Sequence, residues 1–97
     1  MTKADIISEV SDMTGLTKVE IEAVLEGIMV SISDSLRKGE RVDLRGFGSF
    51  LVKQRAARDA RNPATSEIVK LKERFIPVFK VSKILKEDVN KSLLRGF

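Results

Sequence analysis

Apolar positions divide the chain into three regimes. Up to Leu36 they recur at steps of three and four, from Val42 to Phe79 they alternate or form short runs, and from Ser82 the helical spacing returns. Thr2 and Asp5 stand as N-cap and N3 of a first helix, a capping box with Asp in place of the usual Glu. Ile6, Ile7, Val10 and Met13 follow on one face, and Gly15 supplies the stop. Thr17 and Glu20 make a full T-x-x-E box for a second helix, with Leu16 and Ile21 placed for a hydrophobic staple. Its stripe runs through Ile21, Val24, Leu25, Ile28, Met29, Ile32 and Leu36; Arg37 and Lys38 complement the helix dipole before Gly39 ends it. One short partner helix does not cover so wide a stripe, which points to a second subunit.

The middle regime predicts strands. Val42 and Leu44 alternate with charged neighbours, a short turn falls around Arg45-Gly46, and Phe50, Leu51 and Val52 read as the returning strand. From Ile68 to Phe75 the alternation is clean, with Val69, Leu71 and Phe75 on one side and Lys70, Lys72 and Arg74 on the other. The run Phe75 to Phe79 should rejoin the sheet, and Pro77, which has no N–H for a ladder, belongs at an edge or a bulge. Ser82 then caps a third helix carrying Leu85, Val89 and Leu93, which Gly96 can close. The expectation is one α+β domain over residues 1–97: a helical part over 1–39, a sheet and arm over 40–81, and a C-terminal helix and tail over 82–97. No repeat or low-complexity linker interrupts it.

Composition narrows the chemistry. The chain has neither cysteine nor histidine, so disulfides, thiolate metal sites and the usual parts of hydrolytic triads are missing. Glu20, Glu22 and Glu26 lie on a polar helix face with no convergent partner and read as a solvated surface, not as paired catalytic carboxylates. An enzyme is therefore not expected, nor a metal or other cofactor. The N-terminus lacks a signal-peptide core and no run is long enough to span a bilayer. The net charge of +4 is modest but uneven. Residues 1–52 carry six basic and nine acidic side chains, residues 53–97 twelve and five. A cationic end of this kind suits a polyanion, although a solubility role is the plainer alternative.

The charge concentrates in residues 53–75, a stretch with too few large apolar side chains to build a core. Lys53, Arg55, Arg58, Arg61, Lys70, Lys72 and Arg74 stand there against Asp59, Glu67 and Glu73. Two strands joined at Asn62-Pro63 form a hairpin arm; ten extended residues would reach roughly 33 Å. Its outgoing strand offers only Ala56, Ala57 and Ala60 as apolar groups, so the arm should be mobile until an anionic partner orders it. A two-stranded basic ribbon fits a DNA groove, whereas a solvated, edge-protecting hairpin is the bland alternative. Pro63 either shapes the turn or acts as a wedge between base pairs; the residues alone leave both open.

The order of elements, GFGSF at residues 46–50 and RNPAT at residues 61–65 resemble the bacterial HU / integration host factor family of DNA-bending proteins, from about Thr2 to Val89. The resemblance implies an intertwined dimer, self-paired or with a paralogous subunit, with a helical base of two N-terminal helices per subunit, a short antiparallel β-sheet saddle and two long arms. It implies that Pro63 intercalates, that Arg55, Arg58, Arg61 and Asn62 lie in the minor groove, and that Lys3, Lys83 and Lys86 clamp phosphates, with Lys80 a further saddle candidate beside Arg41 and Arg45. The first-turn position of Lys83 and Lys86 opposes the helix dipole, which a phosphate bound at that helix start would reconcile. Phe47, Phe50 and Phe79, with Ile28 and Ile32, are expected as core and dimer contacts. Ser66 and Ser82 depart from the family pattern, which usually has glycine at both places; the turn type at the tip is thereby left open.

The function expected is architectural: largely sequence-nonspecific binding, bending and condensation of double-stranded DNA, with bent, nicked or flexible duplexes preferred, in the cytoplasm at the bacterial nucleoid. A site-preferring factor of the integration host factor type and a dimeric assembly module that grips an acidic protein are the alternatives. A basic arm does not by itself choose DNA over RNA.

Overall fold

In the computed structural model, which describes residues 1–95, a first helix α1 spans Lys3–Thr14. Its start is the capping box expected from Thr2 and Asp5. The Thr2 N–H donates to Asp5 Oδ2 at 2.7 Å and the Asp5 N–H donates to Thr2 Oγ1 at 3.3 Å. Gly15 ends it in the left-handed region, φ 77°, donating its N–H to the Ser11 carbonyl. Helix α2, Lys18–Arg37, begins with Thr17 Oγ1 accepting from the Glu20 N–H at 3.2 Å. It ends in a Schellman motif: Gly39 N–H donates to the Leu36 carbonyl and Glu40 N–H to the Ser35 carbonyl.

The chain forms two compact units, Met1–Asp34 and a second beginning at Ser35. In the first, Ile7 and Ile21 are buried, while Val24, Ile28 and Met29 on the α2 stripe remain exposed, Ile28 at 48 %. Ile32 is half-buried. Two buried apolar side chains are far too few to offset the conformational entropy lost on folding. The amphipathic stripe read from the sequence is real, and among the described residues its Val24, Ile28 and Met29 stay uncovered.

The second unit holds a three-stranded antiparallel sheet, β1 (Val42–Leu44), β2 (Gly48–Arg55) and β5 (Arg74–Val81), in the order β1-β2-β5. The turn between β1 and β2 is closed by the Phe47 N–H on the Leu44 carbonyl, with Gly46 at φ 85°. Registers such as Val42↔Phe50, Phe50↔Phe79 and Val52↔Pro77 bring Val42, Leu44, Phe50, Val52, Pro77, Phe79 and Val81 onto one face. Pro77 lies on the edge strand β5, the kind of strand in which proline is tolerated. Gly48 permits the close approach of β5: a Cβ there would meet Phe79 Cζ at 2.5 Å and the Lys80 carbonyl at 2.6 Å. The Phe79 ring packs between Phe47 and Phe50, with centroids 5.2 and 4.9 Å away.

The arm departs from the sequence expectation. A continuous strand was expected from Ile68 through Phe75. Instead the hairpin β3 (Arg58–Arg61) and β4 (Ile68–Leu71) forms a separate two-stranded sheet. The ladder stops at Arg55↔Arg74 and resumes at Arg58↔Leu71, leaving Ala56-Ala57 and Lys72-Glu73 as an elbow. Two arginines directly opposed repel, and two alanines bury little, so pairing has no drive to continue there. Beyond the sheet, α3 covers Lys83–Arg95. Gly96, the expected stop, and Phe97 lie outside the described residues.

Candidate nucleic-acid interface

The arm is polar because its sequence leaves nothing to bury. In β3 and β4 the register Arg58↔Leu71, Asp59↔Lys70, Ala60↔Val69 and Arg61↔Ile68 sorts its side chains. Arg58, Ala60, Val69 and Leu71 share one face; Asp59, Arg61, Ile68 and Lys70 share the other. Asp59 opposite Lys70 supplies the one favourable cross-strand charge pairing of the ladder. Arg58 and Arg61 thus flank the ribbon on opposite sides, the arrangement a ribbon needs to address both walls of a groove.

At the tip the loop closes on itself. The Asn62 N–H donates to the Glu67 carbonyl at 2.8 Å and the Ser66 N–H donates to the Asn62 carbonyl at 2.7 Å. Asn62 Oδ1 accepts from the Ala64 N–H at 3.0 Å. Ser66 has φ 61°, the one positive value on a non-glycine residue among those described. Serine therefore takes a left-handed conformation that glycine adopts with less strain. Pro63 is exposed at the apex.

At the elbow, Arg55, Arg58 and Arg74 line an open cleft of about 470 Å³ with Ala56 and Ile76. Among the described residues no carboxylate pairs with any of the three. Gln54 and Glu73 are hydrogen-bonded across the strands beside it. On the sheet face opposite the phenylalanines, Lys53, Arg55 and Arg74 lie at the arm end and Lys80 at the other end, with Leu51, Ile76 and Val78 between. Lys72 falls in the elbow itself.

A second open cleft, about 440 Å³, is lined by Arg41, Arg45, Lys80 and Lys83, with Asp43 and Ser49 among them. Here the structure adds residues the sequence reading passed over. Arg41 Nε donates to Asp43 Oδ1 at 2.8 Å, Arg41 Nη2 donates to Ser49 Oγ, and the Ser49 hydroxyl donates to the same Asp43 oxygen. The Ser49 hydroxyl and then the Arg41 guanidinium hold the Asp43 carboxyl below its ordinary value. Arg41 and Asp43 are two residues apart in the chain, but Ser49 is brought to them by the Asp43↔Ser49 register, which spacing along the chain does not signal. Ser82 also does more than cap. Its Oγ accepts from the Leu85 N–H at 3.1 Å and donates to the Gly46 carbonyl at 3.0 Å, and its N–H reaches the Phe47 carbonyl. The start of α3, with Lys83 and Lys86 exposed on it, is thereby fixed to the GFG turn. In the helical unit, Lys3 forms an ion pair with Glu26, so a phosphate at Lys3 has to displace a carboxylate. No group of three or more His, Cys, Asp or Glu residues placed to hold a metal ion occurs among the described residues.

A fold of three helices with a small antiparallel sheet, a basic hairpin arm and cationic clefts defines a class of DNA-binding protein, and comparison with known proteins agrees. Residues 1–90 match the family described as bacterial DNA-binding protein, and the chain belongs to that family. It is 42 % identical to the DNA-binding protein HU of Clostridium pasteurianum over 91 residues, covering 94 % of this chain and all of that one. It is equally 42 % identical to the integration host factor subunit beta of Marinobacter nauticus, over the whole of both chains. Among solved structures, the Anabaena HU–DNA cocrystal superposes with a TM-score of 0.84 at 34 % identity, covering 92 % of this chain and 97 % of that one.

Proposed function

We propose that this protein is an architectural DNA-binding protein, which bends and condenses double-stranded DNA with little sequence preference. The observation that carries the reading is the arm: a hairpin separated from the main sheet by an elbow, exposed except for half-buried Ala60 and Leu71, with Arg58 and Arg61 on opposite faces and Pro63 at the tip. Arginines entering a minor groove meet its strong negative potential, and that groove distinguishes little beyond A·T from G·C. Pro63 has an exposed, rigid, apolar ring at the tip of a cationic ribbon, the form of a wedge that unstacks a base step. Bent, nicked or flexible duplexes then bind best, because less deformation remains to be done.

Lys80, Lys83 and Lys86, with Lys53 and Lys70 along the arm, hold phosphates; Lys3 joins them once it leaves Glu26. The uncovered α2 stripe calls for a second copy or a paralogous chain, so the working unit is a dimer carrying two arms. No helix among the described residues is long and apolar enough to cross a membrane, and a site of action on the cytoplasmic nucleoid follows from the DNA reading. The test is salt dependence. If about ten phosphates are neutralised per dimer, log K falls with log salt at a slope near −9. A slope near zero contradicts the proposal.

A further inference from the structure

Asn62 stands directly before Pro63, and three of its four polar groups are already engaged inside the tip. Its N–H and carbonyl close the loop on Glu67 and Ser66, and its side-chain Oδ1 accepts from Ala64 on the far side of the proline. The Ala64 partner is a backbone N–H, a donor, so the amide must turn its oxygen inward and its nitrogen outward. This is an Asx turn that bridges Pro63. Proline fixes its own φ and biases the preceding residue toward extended backbone. What still sets the tilt of the ring is the pair of ψ angles on either side of Pro63's φ, and the Oδ1–Ala64 bond spans both.

We infer that Asn62 is a positioning residue for the Pro63 ring and not a reader of bases. The inference rests on the DNA-bending reading above. The bidentate pairing by which asparagine reads adenine belongs to the major groove and needs the oxygen that Ala64 holds; in the minor groove a lone Nδ2 donor meets acceptors that A·T and T·A pairs share, so it carries little sequence information. Only Nδ2 is left to face a ligand. The arm arginines deliver charge; Asn62 decides the direction in which the apolar ring points.

Three variants separate positioning from reading. Asn62→Ser keeps a side-chain oxygen that accepts from the N–H two residues on, while removing the amide donor. Asn62→Gln keeps the whole carboxamide but carries it one methylene further out, where it no longer closes the turn. Asn62→Ala removes both. Exchange of the Ala64 amide in the free protein, read by NMR, tests the turn without DNA. Protection is expected in the wild type and Asn62→Ser and lost in the other two; an unprotected wild-type Ala64 overturns the inference whatever DNA does. On an end-labelled duplex read by fluorescence energy transfer, the bent fraction should fall about fivefold in Asn62→Gln and Asn62→Ala, the net worth of one hydrogen bond. Asn62→Ser should retain the bend, and Kd should move less than the bent fraction because phosphate contacts carry affinity. Bending kept by Asn62→Gln and lost by Asn62→Ser makes Asn62 a reader and overturns the inference, as does full bending by all three. A wild-type protein that neither binds nor bends any duplex fails the DNA reading instead, and Ala64 protection still reports on the turn.

Discussion

Replacing Gly48 with alanine sets two effects against each other, and the structure decides between them. Away from clashes, glycine to alanine in extended backbone stabilises by about 0.4–1 kcal/mol, through the unfolded chain. At Gly48 the added Cβ would lie 2.5 Å from Phe79 Cζ and 2.6 Å from the Lys80 carbonyl, whereas carbon contacts are comfortable at about 3.5–4.0 Å. The Phe79 ring is 44 % exposed and can give in part, although Phe47 and Phe50 flank it. The carbonyl belongs to the backbone of β5 and is held by the Ser49↔Lys80 register. Overpacking of this kind costs about 1–3 kcal/mol, which less the gain leaves a net loss of about 0–2.6 kcal/mol, with about 1–2 kcal/mol in the middle of that range. At about 4–8 °C per kcal/mol for a domain of this size, Tm should drop by about 5–15 °C in thermal unfolding at fixed protein concentration. Adding Phe79→Leu removes the ring contact and leaves the carbonyl contact, so the double variant should recover only part of the loss. A Gly48→Ala protein more stable than the wild type refutes the packing argument.

Ser66→Gly should relieve the left-handed strain at the tip by about 1 kcal/mol, read as slower amide exchange in β3 and β4; faster exchange would contradict it. Glu26→Gln frees Lys3 and should raise DNA affinity by up to about fivefold, the ceiling for an exposed ion pair; unchanged affinity would show that Lys3 touches no phosphate. Asp43 has a folded pKa below its ordinary value, so its stabilising contribution is complete above that value and fades as pH falls through the folded pKa. Asp43→Asn should therefore be less stable than the wild type at neutral pH, with the gap closing in acid; a gap that widens in acid reverses the sign of the argument.

Features set by neighbours in sequence were legible from the sequence. Thr2 with Asp5, Thr17 with Glu20, Gly15, Gly39 and Ser82 all mark helix ends, because capping is decided within a few residues. The apolar excess on α2 was legible as periodicity, and the exposure of Ile28 and Met29 gives it physical meaning. The elbow was not legible. The alternation from Ile68 to Phe75 fails at one place, Glu73, which takes an apolar-side position, and that single charge does not by itself mark a stop; the opposition of Arg55 and Arg74 beside it is a fact of register. The Arg41–Asp43–Ser49 cluster was hidden for the same reason, since Ser49 reaches Asp43 across the strands. At the tip, sequence named Asn62 and Pro63, while the direction of the Asn62 side chain, toward Ala64, required the folded turn.

The most direct measurement compares the bend of one end-labelled duplex in complex with the full chain and with a chain in which a two-residue turn joins Arg55 to Arg74 in place of the arm. The account predicts a sharply bent duplex with the full chain and a nearly straight one with the shortened protein, even at low salt where the sheet and α3 lysines still hold it. An equal bend from both proteins would contradict the account.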